Sequence, residues 1–179
     1  MIYSEIHGYC DFHAFYKKVF DQLPDHAVVA EVGVWLGHSV AYLASLAKES
    51  GKSLTIYAVD TFEGSLEHKK HNLGNFLDRF LNNMEACGVS DMVKVIPSES
   101  VVASRSLEDG SLDLVFLDGA HDYHSVTADI RAWRPKVKPS GILAGHDYCD
   151  SWPGVVRAVN EQFRYRKKIN IERNVWWVD

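Results

Sequence analysis

Residues 27–46, AVVAEVGVWLGHSVAYLASL, restrict the fold more than any other part of this chain. Val28, Val29, Ala30 and Val32 make a short apolar, β-favouring run that reaches Glu31 and Gly33. The chain then turns through Val34-Trp35-Leu36-Gly37 and begins a helical pattern at His38-Ser39, with Val40, Leu43, Ala44 and Ala47 on one face. A strand, a glycine loop and a helix in this order open the ligand crevice of a doubly wound α/β fold, because the loop leaves the carboxyl end of the strand. The first-turn N–H groups, Ser39 among them, then point at the bound molecule. Gly33 lets backbone approach a ligand closely, and Gly37 lets helix and strand pack tightly.

What this loop lacks is as informative. A dinucleotide loop reads G-x-G-x-x-G, with a middle glycine that clears room for a pyrophosphate. Here Trp35 stands in that region, leaving E-x-G-x-x-x-G. An indole there disfavours a diphosphate. Glu31, an acid just before the first glycine, repels phosphate and suits an ammonium group. This combination resembles the first motif of class I S-adenosylmethionine-dependent methyltransferases. The resemblance implies a ligand with an amino acid tail, a ribose and no phosphate.

The chain has 179 residues, 46% apolar and 24% charged, with a formal charge of −5. That length predicts one domain over residues 1–179, with a helical segment over 1–24 packed on it. The negative balance gives no electrostatic reason to expect nucleic acid as a partner. Cys10, Cys87 and Cys149 are far apart and form no C-x-x-C pair, so neither a disulfide framework nor a zinc knuckle is expected. No signal peptide is visible at the N-terminus and no run reaches the length of a membrane span. The expectation is a soluble, cytoplasmic protein; a homo-oligomer is compatible with these features.

Tyr9, Phe12, Phe15, Tyr16, Val19 and Phe20 have the spacing of a helix that ends near Pro24. Residues 54–59 read as a second buried strand with Asp60 at its carboxyl end. Asp60 follows the glycine loop at about the twenty-residue interval at which such folds place an acid on ribose hydroxyls. A polar stretch over 61–75, with His68 and His71, reads as a surface loop. A helix over 76–87 closes at Gly88, and a third strand over 92–96 leads to Ser98-Glu99-Ser100. That acid–serine pair resembles the adenine-edge motif of the same family, usually G-D-S, with Ser98 in place of the glycine. A short helix is expected over 101–107 and a fourth strand over 112–117. Pro139-Ser140-Gly141 reads as a turn into a fifth strand over 142–144. Helices over 123–133 and 153–163 and a terminal hairpin around Glu172-Arg173-Asn174 complete the pattern. Residues 164–168, RYRKK, read as a solvated edge charged against strand addition. The fold class is thus α/β, doubly wound, with a mostly parallel seven-stranded Rossmann-like sheet and a C-terminal antiparallel hairpin.

The fourth and fifth strands run into acids, Asp118 and Asp147. In a parallel sheet these ends share one edge with Gly33 and Asp60. Asp118, His121, His146 and Asp147 therefore gather beside the first loop. Singly, the acids read as turn caps and His121 as a helix-start residue. Clustered carboxylates repel one another, and a cation relieves that cost. Oxygen ligands with room for water suit Mg²⁺, and a histidine ligand makes Mn²⁺ competitive.

Asp118-Gly119-Ala120-His121 followed by His146-Asp147 resembles the small metal-dependent O-methyltransferases related to the macrocin and mycinamicin sugar methyltransferases. By that resemblance Asp118, His146 and Asp147 hold the metal, and His121 is the general base. By the same resemblance Glu31, Gly33, Trp35, Gly37, Ser39, Asp60, Glu99, Ser100 and Asp118 are expected to form the cofactor site. The chain departs from the group at His146, where relatives often carry an acid. The resemblance implies methyl transfer from S-adenosylmethionine to a hydroxyl of a small molecule, a sugar or glycosylated metabolite. Two rivals are a nicotinamide-dependent oxidoreductase on a similar sheet, disfavoured by Trp35, and a binding module without turnover, disfavoured by His121 and the acid pair.

Overall fold

The run Leu112–Leu117 is buried at every position, as a strand covered on both faces must be. Its side chains divide by period two. Leu114 and Phe116 enter one apolar cluster, while Val115 and Leu117 enter the other. Burying each such side chain stabilises the fold by roughly 1.5–3 kcal/mol. The computed structural model describes residues 2–64, 75–164 and 168–179. In chain order the strands are β1 (Ala27–Val32), β2 (Leu54–Asp60), β3 (Val93–Pro97), β4 (Leu112–Leu117), β5 (Val137–Gly145), β6 (Asn170–Glu172) and β7 (Val175–Val178). The helices are α1 (His13–Gln22), α2 (His38–Ser50), α3 (Phe76–Cys87), α4 (Ser100–Ser104), α5 (Tyr123–Trp133) and α6 (Pro153–Phe163).

The seven strands form one sheet in the order β3-β2-β1-β4-β5-β7-β6. β1 to β5 are parallel, and β7 turns antiparallel between β5 and β6. This is the architecture the sequence pattern predicts. Helices α1, α2 and α3 cover one face, with Tyr16, Leu43 and Phe80 at its centre. The opposite face packs under α4, α5 and α6 through Ala103, Trp133 and Phe163. The strand order reverses between β1 and β4, which pair directly. Ligands bind outside the carboxyl ends of strands at such a switch point.

Three local expectations need correction. The aromatic spacing of the N-terminal segment does not make one long helix: α1 starts only at His13, and Tyr9 is 92% exposed on the arm before it. Pro139-Ser140-Gly141 is no turn before a strand but lies within β5, which begins at Val137. A register shift against β4 absorbs the proline, which cannot donate to the ladder. The short helix after β3 is Ser100–Ser104, starting earlier and ending sooner than its apolar run suggests. Most of the polar stretch with His68 and His71, and residues 165–167 of the basic run, lie outside the described residues. Among the described residues, no helix is long and apolar enough to cross a membrane.

Candidate active site

Gly33 follows β1 with φ +88°, a left-handed conformation that L side chains rarely adopt. Its N–H donates to the Val59 carbonyl of β2 at 2.8 Å. A Cβ placed on Gly33 would stand 2.2 Å from the backbone oxygen of Asp118. The first loop therefore lies against the end of β4 as well as β2. Asp60 braces the same loop: Oδ2 accepts the Trp35 N–H at 2.9 Å and Oδ1 accepts the Phe62 N–H at 2.8 Å. Each carboxylate oxygen has a second lone pair for a hydroxyl. Helix α2 starts at Gly37 without a side-chain cap, so the first-turn N–H groups suit a polar ligand at its tip.

Glu31 was expected to face an ammonium group. The structure instead buries it completely. Its carboxylate accepts hydrogen bonds from Tyr16 at 2.7 Å and from Ser39. Burial raises its pKa to about 7 despite those two hydrogen bonds, and Asp118 adds to the rise. Between the unfolded value of 4.5 and about 7, the folded chain holds this proton more tightly than the unfolded chain. Stability therefore falls as pH rises through that window. The contribution is up to about 3 kcal/mol. In Glu31→Gln the slope is expected to become shallower by this part, leaving the parts due to Asp129 and His146, measured as urea midpoints from pH 4.5 to 8 in EDTA.

The adenine-edge pair divides. Glu99 is exposed, whereas Ser100 Oγ accepts the Trp133 indole N–H at 2.9 Å. Asp129 also engages Ser100, and burial raises the Asp129 carboxyl to about 6. The structure thus gives Ser100 partners on α5. The expected contacts of Glu31, Ser39 and Ser100 with a cofactor compete with these internal hydrogen bonds.

At the β4 and β5 ends the expected residues converge. The Asp118 N–H donates to the Val32 carbonyl, and the His146 N–H donates to the Leu117 carbonyl. Asp147 takes φ +60°, a left-handed turn that Asp tolerates better than most residues. That turn aims its carboxylate back at the rim. Asp147 Oδ2 accepts from His121 Nε2 at 2.8 Å, while Oδ1 lies 3.3 Å from His146 Nδ1. The same Nδ1 is 3.4 Å from Asp118 Oδ1. Ligand atoms from Asp118, His146 and Asp147 all lie within 4.8 Å of one another.

Charge is concentrated here. Burial works against a charged His146, yet hydrogen bonds with Asp118 and Asp147 outweigh it and push its pKa up to about 10. Burial also raises Asp118, an effect that His146 partly offsets. Asp147 is buried too, but hydrogen bonds from His121 and His146 hold it well below the usual carboxylate range. In this state the His146 proton supplies the positive charge the acids require. A divalent cation would supply it better and would displace that proton. Two carboxylates and an imidazole form a mixed oxygen and nitrogen donor set, which fits Mg²⁺ or Mn²⁺.

His121 precedes α5 and is not its cap. That role belongs to Asp122, which accepts from the N–H groups of His124 and Ser125. The imidazole stacks on Trp152, with ring centres 4.1 Å apart and planes at 23°. Asp118, His121, His146 and Asp147 line one cleft with Asp129 and Val155. Asp129 and Val155 were missed from sequence. The signal for Asp129 was an acid on the buried side of α5, between Val126 and Ile130.

A glycine loop at the switch point, an acid after β2, and acids with histidine after β4 and β5 thus share the carboxyl edge of the sheet. The chain belongs to the methyltransferase domain family, whose profile matches residues 30–148 and whose cofactor is S-adenosylmethionine. That assignment removes the nicotinamide oxidoreductase from the alternatives. "Uncharacterized protein y4gI" of Sinorhizobium fredii is 28% identical over 120 residues, 66% of this chain and 13% of that protein. The chain thus spans about an eighth of the curated relative it matches. The O-methyltransferase NovP superposes with a TM-score of 0.72 at 18% identity, over 94% of this chain and 77% of NovP. CalS11, a TDP-rhamnose 3'-O-methyltransferase of calicheamicin biosynthesis, gives 0.63 at 18% identity, over 92% and 75%. A SAM-dependent O-methyltransferase from Thermotoga maritima gives 0.65 at 14% identity, over 97% and 66%. At these identities the likeness establishes the fold.

Proposed function

We propose that this chain transfers a methyl group from S-adenosylmethionine to a hydroxyl oxygen of a small acceptor, a sugar or glycosylated metabolite, with help from a divalent cation. The observation that carries this reading is the juxtaposition of the Asp118, His146 and Asp147 donor set with the His121–Asp147 hydrogen bond. NovP is an O-methyltransferase, and CalS11 is a TDP-rhamnose 3'-O-methyltransferase. Both fit an alcohol acceptor at this rim.

Bound S-adenosylmethionine supplies a methyl group on sulfonium sulfur, and the C–S bond breaks as the new O–C bond forms. A cation held by Asp118, His146 and Asp147 supplies Lewis-acid stabilisation of negative charge on oxygen. The chain's own part is alignment and proton removal. Asp147 holds Nε2–H of His121, which selects the tautomer whose lone pair is on Nδ1. Nδ1 then takes the hydroxyl proton, and the Asp147 carboxylate stabilises the imidazolium that results. Trp152 fixes the ring plane by stacking and covers one of its faces.

The test is methyl transfer over a panel of glycosides and phenols, with EDTA and with Mg²⁺ or Mn²⁺ restored. Transfer to a glycoside that EDTA stops and metal restores is the expected result. Transfer only to phenols overturns the sugar assignment, and EDTA-insensitive turnover overturns the role of the cation. In His121→Ala, turnover is expected to fall about 10²- to 10⁴-fold. Calorimetric S-adenosylmethionine affinity should stay at the wild-type value. Unchanged turnover removes His121 from the reaction.

A further inference from the structure

The arm before α1 is clamped onto the site by aromatic contacts. Tyr3, His13, His38 and Tyr42 form a ring cluster with centroid separations from 4.4 to 5.9 Å. The Ile6 carbonyl lies 2.9 Å from His38 Nδ1 at the start of α2. At the other end of the arm Phe12 is buried, 5.0 Å from the His146 ring and 4.7 Å from Phe116. These anchors place Asp11 over the far side of His146. Asp11 Oδ1 comes within 2.7 Å of His146 Nε2.

That nitrogen is buried, and among the described residues it makes no aligned hydrogen bond. A buried polar group left without one costs roughly 1–3 kcal/mol. The acceptor at hand is Asp11, whose side chain is 57% exposed and able to turn into line. The opposite ring nitrogen, Nδ1, is the one that faces Asp118 and Asp147. A neutral imidazole has one N–H and one lone pair, so fixing the proton on Nε2 presents the lone pair at Nδ1. Histidine ligands are commonly oriented in this way by a carboxylate on the other nitrogen.

We propose that Asp11 is a positioning residue for cation capture: it holds Nε2–H of His146 and so turns Nδ1 toward Asp118 and Asp147 as a ligand. The inference rests on the metal-assisted reading above. It also makes the docked arm part of the metal site, since no residue of the strands replaces Asp11 on that side among the described residues.

The experiment compares wild type, Asp11→Ala, Asp11→Glu and Asp118→Asn by Mn²⁺ titration with electron paramagnetic resonance. Histidine ¹⁵N spectra are recorded on the Mg²⁺-loaded proteins. Asp11→Ala is expected to bind Mn²⁺ about 10- to 100-fold more weakly than wild type. Its melting temperature in EDTA should fall by only a few degrees, the cost of one buried N–H left without an acceptor, and Asp11→Glu should recover part of the affinity. The His146 spectrum should show Nε2 protonated in the wild type and mixed tautomers in Asp11→Ala. Equal Mn²⁺ affinity in wild type and Asp11→Ala, with binding abolished in Asp118→Asn, overturns the role of Asp11 and leaves the metal site standing. A wild type that takes up no Mn²⁺ overturns both.

Discussion

Gly33→Ala is expected to destabilise the protein by about 3 to 5 kcal/mol, because two separate penalties meet at one atom. The first is conformational: φ is +88°, where an L side chain crowds its own carbonyl. The second is steric. The new methyl would sit 2.2 Å from the Asp118 carbonyl oxygen and 2.7 Å from Gly119 Cα. Both are backbone atoms, so no rotamer change relieves the contact. For a chain of this length the melting temperature should drop by about 6 to 20 °C. Gly51→Ala separates the two terms. Gly51 has φ +75° at the end of α2, and an added Cβ meets nothing within 4 Å. It should therefore cost only the conformational part, about 1 kcal/mol. Equal losses in the two variants would show that the β1 loop does not rest on the β4 end.

The same loop shows what could be read from sequence and what could not. Alternation and loop chemistry are local, so residues 27–46 revealed a strand, a crevice and a helix. Acids at the ends of apolar runs revealed the rim, because parallel strands bring such ends together whatever the intervening chain does. Direction was not legible. Whether Glu31 faced a ligand or the core depended on Tyr16, which comes from a helix on another part of the chain. Ser100 likewise turned on the Trp133 indole. The aromatic spacing of the arm suggests a helix, yet Phe12 packs on Phe116 and His146 while Tyr9 stands exposed, so the two share no helical face. Asp11 carried no sequence signal at all. Its relation to His146 exists only after the arm has docked.

Asp118→Asn is expected to separate folding from function most sharply. The side chain keeps its shape, and its backbone contacts with the Gly33 loop are untouched. Two electrostatic changes then oppose each other. Asp118 is a carboxyl raised by burial, so its ionised form works against folding at neutral pH, and a neutral amide removes that penalty. His146, however, loses a hydrogen-bonding partner that helps raise its pKa to about 10. That stability is present below the unfolded value of 6.5 and is lost as pH rises through about 10, so its loss costs most in acid and at neutrality. The melting temperature in EDTA should consequently move by only a few degrees. Metal response is another matter, because an amide oxygen carries no net charge to hold a divalent ion. In wild type, Mn²⁺ at one hundred times its dissociation constant should add about 2.7 kcal/mol. That corresponds to about 5 to 10 °C, and Asp118→Asn should show none of it. Turnover should fall by about 10³-fold or more, the equivalent of about 4 kcal/mol of lost Lewis-acid stabilisation. If Asp118→Asn keeps its Mn²⁺-dependent melting shift, Asp118 is not a ligand. If the shift disappears while turnover persists, the cation that wild type binds plays no part in the transfer.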